Sequence, residues 1–356
     1  MTKTRMTVAV TGTGGGVGQA ILRALRRSER DYRVLGLDMN PRAAGLYESD
    51  VARVVPPANS SDYVSELKRI AAGDRVAVLL PGSDPELPEL ARARPELERA
   101  GLRVLVGEPS AVSICRDKLK TARFFRERGF PFVQTVSVGD APALAREVGF
   151  PLIIKPVGGS ASRNVTIVFD EAGLTPMVEH SGFIAQEFAM PSDWAAELAD
   201  LGPEAVLPEG RLRQEEEISV QVVLDHEANH LGTFCSVNRL QAGVPIYVDP
   251  RRIPSVEDLV ERMATVLVEE GLIGPCNFQC RMTSEGPKVF EINPRFTGIT
   301  GVRAAMGFNE VEGVLDRLLH NVPLETARSA LRQPSDVVSC RFVDELIVPR
   351  SELKGE

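Results

Sequence analysis

Cysteine is sparse and unpaired in this chain: Cys115, Cys235, Cys276, Cys280 and Cys340 are scattered, with no C-x-x-C spacing. That argues against a zinc site or a disulfide framework and for reduced, mostly buried thiols. Long apolar runs are missing too. No stretch approaches the roughly 20 residues of a membrane span, and Met1-Thr-Lys-Thr-Arg5 leads straight into a strand without the apolar segment of a signal peptide. A cytoplasmic protein with no membrane partner is the expectation. The four histidines, His180, His226, His230 and His320, lie in polar or helical settings, and no Tyr/Lys pair stands ready for hydride transfer. A net charge of -8 disfavours a general attraction to nucleic acid. Lysine is scarce beside arginine, so each lysine in an apolar context is informative.

What is present is enough chain for two or three units: 356 residues, 43% of them hydrophobic. The first hundred read as α/β. Met6–Val10 is a buried strand, followed by Gly12-x-Gly14-Gly-Gly16-x-Gly18 and an amphipathic helix. Arg33–Leu37 is a second strand ending at Asp38, and further strands fit 52–55, 75–80 and 103–106. Alternation of strands and helices implies a parallel sheet with helices on both faces. The glycines and Asp38 fit two readings: a dinucleotide site, or a tight turn needed for close helix packing.

After Val106 the pattern changes. Pro109-Ser110 opens a helix that carries Asp117-Lys118 and continues to Gly129. Gly149-Phe-Pro-Leu-Ile-Ile-Lys155-Pro156 is a strand whose lysine sits among apolar neighbours, followed by the Gly158 to Asn164 loop with Gly159, Ser160 and Ser162. Such a loop can fold over phosphates or be an ordinary hairpin. Phe183–Phe188 is a buried strand that reaches Glu187, with Met190 just beyond, and Glu217–Val223 opens another strand on a carboxylate.

The last informative stretch is Lys288-Val-Phe-Glu291-Ile-Asn293-Pro-Arg295. Strand alternation points Glu291 and Asn293 one way, and Phe290 and Ile292 into the core. Cys276–Arg281 reads as its hairpin partner, which sets Gln279 beside Glu291. Oxygen-only ligation by Gln279, Glu291 and Asn293 suits Mg2+, which keeps waters and takes substrate phosphates. A solvated edge strand is the alternative. Val237–Gly243 reads as a loop with Arg239 in it, and Arg303 follows one helical turn past the site. Either guanidinium matches a substrate carboxylate.

The order Lys118, Lys155 with its Gly/Ser loop, Glu187, Glu217, Gln279, Glu291, Asn293, Arg295 resembles the ATP-grasp superfamily, in the branch of the carbamoyl phosphate synthetase large subunit and its carboxylate–amine ligase relatives. The resemblance runs from Met6 to a strand near Phe342–Val348. It implies a Rossmann-like N-terminal unit (1–115), a small lid (116–188) and a larger unit with an antiparallel sheet and the metal site (189–356). It further implies ATP with Mg2+, or Mn2+ in its place. Lys118, Lys155 and the loop would contact phosphates, and the Glu187–Phe188–Met190 segment would hold adenine through its backbone. Glu217 would hold the ribose, Gln279, Glu291 and Asn293 the metal ions, and Arg295 the transferred phosphoryl group. Small-molecule carboxylates and amines are the implied partners, and a homodimer is compatible. The chain lacks the length of paired synthetase halves and shows no glutaminase unit, which excludes carbamoyl phosphate synthesis as the expectation. The segment 191–214 reads as an insertion.

Overall fold

The computed structural model describes residues 5–158, 164–191, 217–241, 243–342 and 345–354. They form three sheets. The first contains β1 (Thr7–Val10), β2 (Arg33–Asp38), β3 (Val51–Val54), β4 (Val76–Leu80) and β5 (Arg103–Val104), all parallel, in the order β3-β2-β1-β4-β5. Strands covered on both faces must be apolar at successive positions, and Val8, Ala9 and Val10 are at most 1% exposed. Val8 and Val10 pack on Ile21 and Leu22 of the helix Gly16–Leu25. Ala9 faces the opposite way, toward Leu67 and Leu90 of the helices Tyr63–Asp74 and Leu87–Arg99.

The single helix expected from Pro109 to Gly129 is two, Pro109–Arg116 and Lys118–Glu127. Asp117 between them is extended, and its carboxylate accepts from the Leu119 and Lys120 amides at 3.0 and 3.1 Å. Aspartate favours that cap over helix continuation. The break sets Arg116 at the end of one helix and Lys118 at the start of the next.

The second sheet is antiparallel: β6 (Thr135–Ser137), β7 (Leu152–Pro156), β8 (Thr166–Val168) and β9 (Phe183–Glu187), in the order β6-β9-β7-β8. Leu152 and Ile154 pack against Leu144 of the helix Ala141–Val148. The alternate positions Ile153 and Lys155 face the other way, where Ile153 meets Ile167 and Phe188.

The third sheet contains β10 (Glu217–Leu224), β11 (His230–Gln241), β12 (Val244–Pro250), β13 (Pro275–Thr283), β14 (Gly286–Asn293) and β15 (Ser339–Cys340). Its order is β14-β13-β10-β11-β12-β15 and it is antiparallel. Period-two alternation divides its faces. Ile218, Val220, Val222, Cys276, Phe278 and Cys280 pack on the helix Pro254–Val268. Glu217, Ser219, Gln221, Asn277 and Gln279 lie at the intervening positions of β10 and β13 and form a polar face.

Three local expectations change. Val237–Gln241 is strand, not loop, and exposed Arg239 lies opposite Tyr247 in it. Among the described residues of 341–349 there is no strand; only Ser339 and Cys340 pair with β12, and Phe342 and Ile347 are exposed. Phe290 is the extra residue of a bulge, because Gln279 pairs with Glu291 and Cys280 with Val289. The bulge turns Val289 to the core beside Ile292 and leaves Phe290 half-buried at its margin. Cys115, Cys235, Cys276 and Cys280 are buried free thiols, and Cys340 is an exposed one.

The N-terminal sheet and the C-terminal helices share one core. Val8, Val10, Ile21 and Leu22 pack with Phe234, Phe296, Phe308 and Val311. That contact brings the loop after β4 against the residues that follow β14.

Candidate functional site

The polar face of the third sheet carries the site. Gln279 stands opposite Glu291 in the β13–β14 ladder, and its amide nitrogen donates to Glu217 Oε1 at 2.8 Å across β10. That bond commits the nitrogen and leaves the Gln279 oxygen as its remaining ligating atom. Asn293 Nδ2 donates to Glu291 Oε1 at 3.3 Å, which ties the two strand-end groups together. One carboxylate flanked by two amide oxygens is a hard donor set suited to Mg2+ with water and phosphate oxygens completing its shell. Among the described residues, no group of three or more His, Cys, Asp or Glu is placed to hold a metal.

Lys155 reaches this face from the lid. It is 7% exposed. Burial pushes its ammonium down to about 8, against the opposing pull of the Glu291 and Glu217 carboxylates and with a further push from Lys118. Burial likewise pushes Glu217 up to about 7, opposed by Arg281 and Lys155 and reinforced by Glu291. Lys155, Lys118, Glu217, Glu291 and Arg281 therefore form one electrostatic cluster. Lys118 lines a cavity together with Arg116, Glu291 and Asn293.

Next to Lys155, the lid presents an apolar patch of Ile153, Ile167 and Phe188, with Met190 packed against it. The Arg281 guanidinium lies 5.2 Å from the centre of the Phe188 ring and 5.3 Å from that of Phe290. A flat apolar group beside charged residues is the environment a purine base needs next to its phosphates. Glu187 is placed differently. Its carboxylate accepts from the Gln134 amide at 3.0 Å and from Lys288 Nζ, and its own amide donates to Gln134 at 2.8 Å. The Glu187 side chain and amide are thus spent on joining lid to sheet, and the neighbouring backbone is what remains for a ligand.

Arg295 is largely buried and bidentate to Asp84, Nε to Oδ1 at 2.7 Å and Nη2 to Oδ2 at 2.8 Å. Burial alone would lower the arginine and raise the aspartate. Their mutual attraction outweighs it, and Arg116 and Lys118 further hold the Asp84 carboxyl below the usual range. Arg295 is thus anchored to the N-terminal unit, and it also donates from Nη1 to the Phe296 carbonyl at 2.8 Å and from Nη2 to Asn293 Oδ1 at 3.3 Å.

Arg303 is a correction. It is 1% exposed, donates from Nε to Glu310 Oε1 at 2.9 Å and from Nη2 to Thr297 at 2.9 Å and Thr300 at 3.1 Å. A guanidinium so enclosed is engaged in a buried ion pair with Glu310, away from the surface where the expectation put it. Gly159, Ser160, Ser162 and most of the 191–214 insertion lie outside the described residues. Asp84 and Arg116 lie beside these residues although no motif marks them, and Arg281 and Lys288, within the quoted strands, were given no role there.

The glycine-rich turn after β1 is built differently. Asp38, whose carboxylate a dinucleotide ribose would need, accepts from the Gly14 amide at 2.7 Å and the Asn40 amide at 2.8 Å. At the point between β1 and β4 where strand order reverses, the backbone runs close to itself. A Cβ on Gly18 would lie 2.3 Å from the Gly12 oxygen, and one on Gly82 2.1 Å from the Thr11 oxygen. These glycines serve close backbone approach.

Residues 8–105 match the family described as PylC-like, N-terminal domain, and residues 210–341 match the family described as ATP-grasp in the biosynthetic pathway with Ter operon. The chain is 26% identical over 277 residues to the carbamoyl phosphate synthase large chain of Rubrobacter xylanophilus, covering 74% of this chain and 24% of that one. With the Gemmatimonas aurantiaca large chain it shares 25% identity, covering 99% of this chain and 31% of that one. It thus spans between a quarter and a third of these curated relatives. Among solved structures, the N5-carboxyaminoimidazole synthetase of Staphylococcus aureus complexed with ADP aligns at TM-score 0.65 and 15% identity, covering 89% of this chain and 79% of that one. The L-amino acid ligase of Bacillus licheniformis aligns at TM-score 0.63 and 16% identity, covering 93% and 78%. The biotin carboxylase domain of the Hydrogenobacter thermophilus 2-oxoglutarate carboxylase, in complex with MgADP, aligns at TM-score 0.65 and 14% identity, covering 93% and 73%.

Proposed function

We propose, from the premise that this chain is an ATP-grasp protein, that it is an ADP-forming carboxylate–amine ligase working through an acyl phosphate. The observation that carries the reading is the cluster of Lys155, Glu217, Gln279, Glu291 and Asn293, contributed by two sheets and charged in the pattern a metal-bound polyphosphate requires. The named relatives and structural neighbours support it. On this reading residues 1–115, 116–188 and 189–356 are the three functional units, and the reaction takes place in the cytoplasm on a small-molecule acid and amine.

Gln279, Glu291 and Asn293 would hold Mg2+, which neutralises the polyphosphate charge. Lys155 and Lys118 align the phosphates as point charges, and the Ile153–Ile167–Phe188 patch with Met190 carries the base, while Glu217 accepts from the ribose hydroxyls. A carboxylate oxygen of the acid attacks the terminal phosphorus, its P–O bond to ADP breaks, and an acyl phosphate results. Arg295, locked by Asp84, meets the phosphoryl oxygens without having to reorganise. The amine then attacks the acyl carbon and inorganic phosphate leaves. An amino acid as the acid is part of the proposal.

The test is ADP release from Mg-ATP across pools of amino acids and small carboxylic acids, with hydroxylamine present as the trapping nucleophile. Hydroxamate with one acid establishes the reaction class and the activated substrate. ADP release that never depends on an added acid contradicts it.

A further inference from the structure

Arg116 sits at the phosphate site without belonging to any recognised motif. It ends the helix Pro109–Arg116 one residue before the Asp117 break, and lines the same cavity as Lys118, Glu291 and Asn293. Its guanidinium lies 3.2 Å from Asp84 Oδ1, and its side chain is 20% exposed. The Asp84 carboxylate already accepts two hydrogen bonds from Arg295. One buried carboxylate thus gathers two guanidiniums beside the metal-ligating strand. A guanidinium has five N–H donors in a planar fork, and one contact with Asp84 engages a fraction of them. Among the described residues, Arg116, Lys118, Lys155, Arg281 and Arg295 gather about the carboxylates Asp84, Glu217 and Glu291, a setting rich in groups that bind oxyanions.

Resting on the ligase reading above, we infer that Arg116 is a second oxyanion-binding residue for the phosphoryl group in transfer, and that Asp84 is the positioning residue that holds Arg116 and Arg295 together. During transfer the charge spreads over the three equatorial phosphoryl oxygens. Arg295 and Arg116 approach them from one anchored pair, each adding a charge-assisted hydrogen bond. The P–O bond to ADP breaks as the bond to the carboxylate oxygen forms, and neither guanidinium exchanges a proton. The same oxygens leave as inorganic phosphate once the amine has attacked, so inorganic phosphate beside Mg-ADP is the appropriate probe.

The experiment is thermal unfolding of the whole chain with Mg-ADP, then with Mg-ADP and a titration of inorganic phosphate. In the unsubstituted protein phosphate should add stability beyond Mg-ADP. Arg116→Gln should keep the Mg-ADP shift and need about tenfold more phosphate for the further increment, the loss of one charge-assisted bond. Asp84→Asn should show the same split. Arg116→Lys, which keeps the charge without the fork, should fall between, and it serves if Arg116→Gln does not fold. Lys120→Gln, at an exposed neighbouring position, should titrate as the unsubstituted protein does. An unchanged phosphate titration in Arg116→Gln, or no phosphate increment in the unsubstituted protein, overturns the inference. Absence of any Mg-ADP shift overturns instead the ligase reading on which it rests.

Discussion

Two regions of this molecule set carboxylates at or near strand ends, and the fold treats them in opposite ways. At the glycine-rich turn after β1, Asp38 is satisfied by the Gly14 and Asn40 amides, and Gly18 and Gly82 let backbone segments approach closely. On the polar face of the third sheet, Glu217, Gln279, Glu291 and Asn293 are turned toward one another and toward a buried lysine, with burial costs that the protein alone does not offset. Motif spacing made the two look alike. What distinguishes them is whether the fold has already neutralised its polar groups.

Substitutions should separate the regions. The largest effect is expected at Glu291→Ala: turnover should fall by a factor of about 100 or more, the scale seen when a preorganised electrostatic group is removed, with little change in thermal stability without ligand. Substantial activity in that variant removes the metal assignment. Arg303→Ala should act on stability instead, costing about 3–5 kcal/mol because Glu310 is left buried and charged. Denaturant unfolding measures this, and the remaining folded protein should keep its Mg-ATP affinity.

A pH titration sharpens the same contrast. Lys155 is lowered to about 8 in the folded protein. Its buried charge therefore costs stability below that pH, the cost fades as pH rises through about 8 toward the ordinary lysine value, and its attraction for polyphosphate disappears over the same rise. Mg-ATP affinity should weaken above about pH 8, and Lys155→Arg, which stays charged, should flatten that limb of the profile. The smallest effect is expected at the glycine turn, where Asp38→Asn should cost about 1–2 kcal/mol of stability through weakened backbone hydrogen bonds. It should leave nucleotide binding as it was; a loss of Mg-ATP binding in that variant would dissolve the distinction between the regions.

The sequence carried the parallel sheet, because strands alternating with helices write a regular pattern, whereas the antiparallel sheet beyond the β13–β14 hairpin came only as what the resemblance implied. The expected Gln279–Glu291 pairing is present, but through the bulge at Phe290, since unbroken register from the Thr283–Gly286 pair would set Gln279 opposite Phe290. The Asp84–Arg295 pair was invisible: its members lie 211 positions apart, joined by a shared core. Arg303 misled because proximity to a motif says nothing about burial, and Glu310 seven residues on is its partner. The bulge at Phe290 and the helix break at Asp117 are local. The first shows only in the ladder register, and the second was written in an Asx cap that helical periodicity masked.

The most direct measurement is thermal unfolding of the unsubstituted chain with Mg-ATP, with NAD(P) and with neither, since a ligand that binds the folded state raises stability by mass action. The account predicts a shift with Mg-ATP that is lost in Lys155→Ala, and no shift with NAD(P). Stabilisation by NAD(P) with none by Mg-ATP would contradict it and return the glycine-rich turn to the centre of the protein's function.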